Sequence, residues 1–423
     1  MKQQERSFPL GTTILAALVI LGLVPMIIRY INGIGAISNL SDGRPWGFWI
    51  SFDLYCGVAL AAGGFTLAGW VYLFKREKYH AVARPAVLTA FLGYTLVILA
   101  LLVDVGQPWY IWHAMIYWNI HSPLFEVAIC VMTYTAVLAL EFSPAVFERL
   151  KWHVPLKIVR SIQIPLVIFG VVLSTLHQSS LGSMLLMMPE TLNPIWYTPI
   201  LPILFLTSAI AVGPAMVIFE SMLSTKAFGH ELPLDILQGL ARAIPWILGL
   251  FLLLKLTDLT ARGDIGLVFT SFPMNLLWWA EIIIGSVLPI ILLTNPAVKR
   301  SRTAIFWSAT LVIAGLVLNR FNVSMFALEP RPGFSYFPHW MEVAISVGLV
   351  ADAMLVIWLA YRLLPIVDHE TAGVVPEIRE KGGEYGGAID VRGVSGAQGA
   401  GIYSISASDS RLPAPGDGNL PGR

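Results

Sequence analysis

The stretch PAVLTAFLGYTLVILALLVDV, residues 85–105, contains one charged residue, Asp104, and is otherwise almost entirely apolar. A helix of about 20 such residues is long enough to cross the hydrocarbon core of a bilayer. Nine further stretches share this character, and the ten predicted spans are 9–32, 47–74, 85–105, 121–142, 157–181, 199–223, 236–258, 274–295, 303–322 and 339–364. The sequence therefore predicts an all-α integral membrane protein, with a ten-helix membrane domain over residues 1–364.

The composition of the 423-residue chain agrees with this interpretation. Hydrophobic residues make up 56% and charged residues 13%, and the mean hydropathy is +0.72. Soluble domains carry about 25% charged residues. The expected surroundings are therefore a lipid membrane, and no nucleic acid partner is expected.

The distribution of Lys and Arg predicts the orientation. The connections on one side carry Lys2, Arg6, Lys75, Arg76, Lys78, Arg84, Arg149, Lys151, Lys157, Lys226, Lys299, Arg300 and Arg302. The opposite connections hold only Arg44, Arg262 and Arg331. Because basic connections stay on the cytoplasmic side, we expect both termini in the cytoplasm of a bacterial inner membrane.

The chain changes character after Leu364. Residues 371–423 are rich in Gly, Ser, Ala and Pro, with scattered charges. Such a segment has too little apolar surface to order itself. We expect a disordered cytoplasmic tail, and a docking role for it stays open as the alternative.

Several ionisable residues fall near the outer ends of spans 2 to 5. An ionisable group in hydrocarbon costs about 2.5–3.5 kcal/mol, so each is a candidate for an ion or substrate path. In the predicted topology a polar cluster assembles there from Asp53, Asp104, His113, His121, Glu126 and His177. The alternative is structural, because such acids also cap helix ends or pair with one another.

Span 4 carries two acids, Glu126 and Glu141. Fifteen helical residues give a rise of about 22 Å and an angular offset of only about 60°, so both side chains project toward nearly the same side. One acid near each membrane face, with Tyr134 and Thr133 between them, predicts a proton path. The alternative for Glu141 is an interfacial residue that extends its carboxylate to the cytoplasm.

The second half of the chain repeats this layout weakly. Glu281 lies about two turns into span 8, and Glu220 lies near the inner end of span 6. A spacing of four spans keeps the direction through the membrane, so two parallel four-helix bundles with flanking helices are predicted. Spans 7 and 9 add Arg242, Lys255, Asp258 and Arg320, of which Arg320 and Asp258 are candidates to neutralise one another.

The sequence holds no sign of a covalent redox centre. Its two cysteines, Cys56 and Cys130, both fall within spans, and there is no CxxCH motif for a c-type haem. A stacked pair of b-type haems needs two well-separated histidines on a helix, and no span carries them. We therefore expect no haem, with a b-type cytochrome as a less favoured alternative.

Three motifs carry a resemblance to a known family. They are RPWGFWISFDLYCGVALAAGGF at residues 44–65, DVGQP at 104–108 and NIHSPLFE at 119–126. The chain resembles the NrfD/polysulfide reductase family from Pro9 to about Leu364, and most closely the HybB-type membrane subunits of periplasm-facing nickel–iron hydrogenases. It departs from many members at Gln107, where they carry Arg.

The resemblance implies a quinone-interacting membrane anchor without haem, whose partners are a periplasmic ferredoxin-like iron–sulfur subunit and a catalytic subunit of hydrogenase or a related oxidoreductase. The cofactor would be menaquinone or ubiquinone, bound near the outer side of the first bundle. Carried over by motif, Asp53, Asp104, His121 and Glu126 would surround or service the quinone. Glu141 would continue the proton route, and His177 joins the set from its depth alone.

A quinone reaction moves two electrons and two protons, so it needs hydrogen-bond partners for both carbonyls and a titratable group within reach. Glu126 is the expected donor or acceptor. A secondary transporter would also show ten spans and intramembrane acids, and it stays open as a second function class at this point.

Overall fold

The computed structural model describes residues 9–44, 46–73, 76–229, 232–328 and 335–366. Within them, ten helices are long and apolar enough to span a membrane, as predicted. They are α1 (Pro9–Asn32), α2 (Ile50–Tyr72), α3 (His80–Asp104), α4 (Pro123–Leu150), α5 (Gln163–Leu186), α6 (Leu201–Phe228), α7 (Leu234–Ala261), α8 (Met274–Thr294), α9 (Arg302–Phe326) and α10 (Trp340–Leu363). The predicted tail at 371–423 lies outside the described residues.

Eight of these helices form two bundles. Helices α2, α3, α4 and α5 pack together as the first bundle, and α6, α7, α8 and α9 as the second. The bundles meet where α6 packs against α2 and α5, and where α9 packs against the start of α2. One apolar core runs through both bundles, and this arrangement agrees with the predicted pair of four-helix bundles.

Helices α1 and α10 lie outside the bundles and pack on each other, with α10 also contacting α3. Their crossing is close because glycines face one another. A Cβ atom on Gly22 would lie 2.9 Å from Cα of Gly348 and 2.8 Å from the carbonyl oxygen of Ala344. Small residues permit this approach, which is how helices associate where lipid offers no hydrophobic drive.

Helices α2, α8 and α9 contain π-helical turns. These are Ile50–Cys56 and Gly69–Leu73 in α2, Ile283–Val287 in α8 and Asn322–Phe326 in α9. π-Helical turns are rare in proteins, and those that occur are often found at functional sites. Here the turn in α2 contains Asp53, and the turn in α8 begins two residues after Glu281.

The two ends of the helix array differ in chemistry. We call one end the basic face, because Arg84, Arg149, Lys226 and Lys299 lie there, and the other the aromatic face. The aromatic face carries the connection from α3 to α4, whose exposed side chains are Trp109, Tyr110, Trp112, Tyr117 and Trp118. Aromatic side chains of this kind are typical of a membrane–water interface.

Candidate functional site

Three carboxylates from three helices lie near the aromatic face and influence one another electrostatically, and we call them the acid cluster: Asp53, Asp104 and Glu342. Asp53 is 8% exposed, and its Oδ2 accepts a hydrogen bond of 2.5 Å from the hydroxyl of Ser346 in α10. Asp104, the last residue of α3, interacts electrostatically with both Asp53 and Glu342. The cluster therefore joins α2 and α3 of the first bundle to the flanking helix α10.

Both carboxylate oxygens of Glu342 accept hydrogen bonds. Its Oε1 accepts from the backbone N–H groups of Asn39 at 3.1 Å and His339 at 2.9 Å, and the latter contact forms a capping box at the start of α10. Its Oε2 accepts from the phenol of Tyr336 at 2.5 Å. Burial, and then Glu342 itself, raise the pKa of Tyr336 above its ordinary value, so the phenol stays protonated and donates.

Asp104 differs, because its carboxylate accepts no hydrogen bond within the described ranges. The nearest cation is Arg29 of α1, which is 3% exposed and interacts with Asp104 electrostatically. The Nε of Arg29 donates to the carbonyl of Val103 at 2.7 Å, and its Nη2 donates to that of Val105 at 2.5 Å. The guanidinium thus holds the end of α3 in place and leaves the Asp104 carboxylate available to a ligand.

Two aromatic rings lie beside Arg29. Tyr30 and Trp109 have ring centroids 5.9 Å apart, and the phenol of Tyr30 donates to the carbonyl of Leu102 at 3.2 Å. The DVGQP motif is therefore fastened to α1 by residues on either side of it. The rings of Tyr30 and Trp109 and the carboxylate of Asp104 are groups that suit a ligand ring carrying carbonyl oxygens.

A second polar group lies in the core of the first bundle, and we call it the tyrosine–histidine core: Tyr94, Tyr134, Ser174 and His177. All four residues are at most 1% exposed. Nδ1 of His177 shares a hydrogen bond of 3.1 Å with the hydroxyl of Tyr94, whose ring packs edge-on against Tyr134 at 4.7 Å. His177 lies inside α5 and not at its outer end, so the prediction from depth placed it too close to the surface.

Glu126 and His121 lie at the start of α4. Glu126 occupies the first turn, is half-buried, and interacts electrostatically with Cys130 one turn further along. His121 is exposed in the preceding connection. The structure thus divides the residues expected in one cluster: Asp53 and Asp104 belong to the acid cluster, His121 and Glu126 lie at the start of α4, and His177 lies in the core. His113 lies in the connection between α3 and α4, where its ring packs against those of Tyr110, Trp112 and Tyr117.

Glu141 faces a cavity of about 230 Å³ at the basic face, between α3, α4 and α5. Arg84 and Arg160 line the same cavity, and both bind the carboxylate of Glu148, with nitrogen–oxygen distances of 3.1 and 2.7 Å. A Cβ atom on Gly170 of α5 would lie 3.1 Å from Oε1 of Glu141. The glycine therefore gives the carboxylate room next to the cavity.

The acid cluster includes residues that the sequence interpretation missed. Arg29, Glu342 and Ser346 come from the flanking helices α1 and α10, and Ser346 is 293 residues from Asp53 in the chain. The one local signal was the spacing of His339 and Glu342, which fits a capping box at a helix start. Nothing local indicated that this cap would lie against α2 and α3.

Asp258 and Arg320 were candidates to neutralise one another, and the structure shows that they do not. Asp258 binds Arg262 with a nitrogen–oxygen distance of 3.0 Å and accepts a hydrogen bond of 2.8 Å from Thr198. Arg320 is fully buried and donates to Asn319. Their separation follows from the helix surfaces they occupy, since Asp258 faces the aromatic end of α7 while Arg320 points between the bundles.

Among the described residues, no group of three or more His, Cys, Asp and Glu side chains is arranged to hold a metal ion. Both cysteines are buried and free.

Comparisons with known proteins agree with a multi-pass membrane protein. The family model "Polysulphide reductase, NrfD" matches residues 37–328, a range that covers α2 to α9. A protein of Nitratidesulfovibrio vulgaris (strain Hildenborough) is 39% identical over 371 residues, covering 85% of this chain and 95% of its own.

Two further relatives have more specific names. The probable Ni/Fe-hydrogenase 2 b-type cytochrome subunit of Escherichia coli K12 is 34% identical over 359 residues, covering 84% of this chain and 91% of its own. The integral membrane subunit of the menaquinone reductase of N. vulgaris is 32% identical over 369 residues, with 80% and 87% covered. The chain thus belongs to the NrfD (polysulphide reductase) family and is similar to multi-pass membrane subunits of oxidoreductase complexes.

Proposed function

We propose that this chain is the quinone-interacting anchor subunit of a multi-subunit respiratory oxidoreductase, specifically of a periplasm-facing nickel–iron hydrogenase. It would pass electrons between an iron–sulfur subunit and the quinone pool, with associated proton transfer. The observation that carries the proposal is the acid cluster, in which the carboxylate of Asp104 accepts no hydrogen bond from the described residues. The names of two relatives, a hydrogenase subunit and a menaquinone reductase subunit, support it.

The proposed orientation puts the aromatic face in the periplasm and the basic face in the cytoplasm of a bacterial inner membrane. The basic residues at the ends of α4, α6 and α8 support it through the positive-inside rule. With this orientation the acid cluster lies near the periplasmic surface. A ferredoxin-like iron–sulfur subunit docked there would bring its electrons within a short distance of the quinone.

The quinone, menaquinone or ubiquinone, would bind beside Asp104 with its ring against Tyr30 and Trp109. When bound, it supplies the two-electron chemistry, and the residues of this chain handle its protons. Three carboxylates and one guanidinium, Arg29, leave an excess of negative charge in a buried place when all are ionised. Proton uptake relieves that excess, so Asp53 and Asp104 are suited to exchange protons with a neighbouring carbonyl oxygen.

The proton route would run through the first bundle toward the basic face. Glu126 lies at the aromatic face in the first turn of the neighbouring helix α4, and His121 lies just before that helix. Both would receive protons there. From Glu126 the route would pass Cys130, which interacts electrostatically with Tyr94. Tyr134 of the tyrosine–histidine core interacts with Glu141, whose cavity would give access to the cytoplasm.

The cofactor proposal requires a choice between quinone and haem, because the E. coli relative is called a b-type cytochrome subunit. Among the described histidines, only His177 lies in the interior of a spanning helix, and its ring is packed against Tyr94. No second histidine of the described ranges faces it from another helix. We propose that the chain carries a quinone and no haem, which a reduced-minus-oxidised visible spectrum of the purified complex tests.

The decisive experiment compares two carboxylates at the aromatic face. Asp104→Asn should lower quinone-linked turnover of the purified complex by about 100-fold, as expected for loss of a positioned proton-transfer group. Glu190→Gln is the matched control, because Glu190 is exposed in the connection between α5 and α6 and contacts no residue of the acid cluster. Turnover with a soluble artificial acceptor should be unchanged in both variants.

A photoreactive quinone locates the site directly. Cross-linking to the peptide that contains residues 104–109 supports the proposal, and cross-linking confined to the second bundle contradicts it. Co-purification of an iron–sulfur protein separates a redox anchor from a secondary transporter, since a transporter works without one.

A further inference from the structure

A buried ionic network occupies the second bundle, apart from the residues of the proposed quinone site and proton route. Its centre is Glu281 of α8, which is 2% exposed. Oε2 accepts from the indole of Trp196 at 3.0 Å and the amide of Asn322 at 2.8 Å, while Oε1 accepts from the amide of Asn319 at 2.8 Å and from the ammonium of Lys255. Four donors for one carboxylate hold it in the ionised form.

The network contains more positive than negative charge. Arg320 of α9 is fully buried and donates to Oδ1 of Asn319 at 2.6 Å, to the hydroxyl of Ser208 at 2.8 Å and to the carbonyl of Phe205 at 3.1 Å. No carboxylate of the described residues forms a salt bridge with it. Lys255 and Arg320 therefore share one anion, Glu281, and one positive charge is left without a direct counter-ion.

The other helices around the network do not cancel this charge. Tyr55 and Cys56 of α2 interact electrostatically with Arg320, and both are uncharged in their ordinary forms. Helix α6 contributes uncharged groups to Arg320, namely the hydroxyl of Ser208 and the carbonyl and ring of Phe205. On α7 the nearest further charges are Asp258 and Arg262, which bind each other at the aromatic end of the helix.

Stability alone is a poor explanation for such a network. Replacing a buried ion pair by well-packed apolar residues is often neutral or stabilising by about 1–4 kcal/mol, because desolvation offsets the attraction. Ionisable residues inside a membrane domain are accordingly candidates for a functional site.

Two small cavities adjoin the network. The first, of about 20 Å³, is lined by Lys255 and Asn319 and reaches Asp258 and Arg262 toward the aromatic face. The second has the same volume, lies deeper in the membrane domain and is lined by Glu281 and the hydroxyls of Ser208 and Ser286. A polar cavity needs about 10–15 Å³ to hold one water molecule, so each has space for one.

We propose that Lys255 and Glu281 form a proton-exchange site in the second bundle, open to the aromatic face through the cavity beside Asp258. In the forward step the Nζ–H bond of Lys255 breaks, the electron pair stays on nitrogen, and the proton passes through a water molecule to the carboxylate of Asp258. The reverse step restores the ammonium. Lys255 is the group that can discharge the excess charge, because a guanidinium such as Arg320 does not lose its proton in proteins.

The geometry gives this site one open side. The side chains of Asp258 and Arg262 are 13% and 21% exposed, so the outer cavity connects with the surface. The inner cavity lies against the contact of Gly285 with Gly315, where the backbones of α8 and α9 meet. The site does not depend on the quinone proposal, and its test uses the chain itself.

Infrared difference spectra of the full chain in lipid vesicles test the proposal. The pH of the medium is stepped, and the bands of Glu281 are identified by their loss in Glu281→Gln. In the parent chain these bands should respond to pH, because the carboxylate loses its charged partner when Lys255 releases its proton. In Lys255→Arg the ion pair persists, but the guanidinium does not lose its proton. The Glu281 bands should therefore stay constant when the pH is stepped.

A matched pair of variants tests the route. Asp258 and Asp264 both bind Arg262, but only Asp258 lines the cavity. Asp258→Asn should slow the response of the Glu281 bands by about 100-fold, as loss of a positioned proton-transfer group does. Asp264→Asn should leave the rate unchanged.

Bands of Glu281 that do not respond to pH in the parent chain would show a static structural ion pair and overturn the proposal. Equal rates in the two aspartate variants would overturn the route. Both aspartate variants keep the network itself intact, so this comparison survives if Lys255→Arg fails to fold.

Discussion

The hydroxyl of Tyr94 and Nδ1 of His177 lie 3.1 Å apart, and this hydrogen bond joins α3 to α5 in the core of the first bundle. Both residues are at most 1% exposed. In the described part of the chain, Nε2 of His177 and Oγ of Ser174 are buried without a hydrogen-bond partner. Buried polar atoms without a protein partner commonly bind internal water. Water bound there would allow the tyrosine–histidine core to carry protons as part of the proposed route.

Tyr94→Phe removes this hydrogen bond and keeps the ring. We expect a loss of about 1 kcal/mol in the free energy of unfolding, as for a typical buried hydrogen bond. Quinone-linked proton transfer should also slow. Tyr117→Phe is the control, because Tyr117 is 68% exposed. Thermal unfolding in detergent and proton uptake by vesicles measure the two effects, and parental proton uptake in Tyr94→Phe would remove Tyr94 from the route.

The two acids of α4 should behave differently when neutralised. Glu126→Gln is expected to lower quinone-linked turnover strongly while the subunit still assembles with its partners. Glu141→Gln should leave quinone binding intact, because 15 helical residues place it about 22 Å away along the helix axis. It should instead slow or uncouple proton movement. Parental turnover and proton movement in both variants would show that these acids are structural.

The contact between α8 and α9 should tolerate no side chain. A Cβ atom on Gly315 would lie 1.9 Å from Cα of Gly285, so Gly315→Ala must push the helices apart. Overpacking of this kind costs about 1–3 kcal/mol. Gly249→Ala is the matched control, since a Cβ atom there meets no heavy atom within 4 Å. A Gly315→Ala variant as thermostable as Gly249→Ala would contradict the described packing of the second bundle.

The orientation can be read from cysteine labelling in intact cells. The natural cysteines, Cys56 and Cys130, are buried and should stay silent. We expect an impermeant thiol reagent to label Trp118→Cys on the aromatic face, which is 71% exposed in the parent. Lys78→Cys on the basic face should react only after permeabilisation. The reversed pattern would invert the topology and move the acid cluster to the cytoplasmic side.

The sequence alone determined the helices, because each depends on the local chemistry of the chain. A run of about 20 apolar residues must satisfy its backbone hydrogen bonds internally in lipid, so it becomes a helix wherever it packs. The position of Glu126 in the first turn of α4 followed from the same reasoning, and the structure agrees.

Only the tertiary structure decided which polar side chains meet. Asp53 and Ser346 are 293 residues apart in the chain, and their contact exists because α10 packs back on the first bundle through its crossing with α1. Depth along each helix could be counted from the sequence, which is why Asp53 and Asp104 were expected close together. Close packing of small residues such as Gly22 and Gly348 sets the rotation of each helix about its axis and which helices it packs against. The depth of a residue along its helix does not predict either of these. For that reason His177 lies in the core beside Tyr94, and Arg320 lies beside Asn319 instead of Asp258.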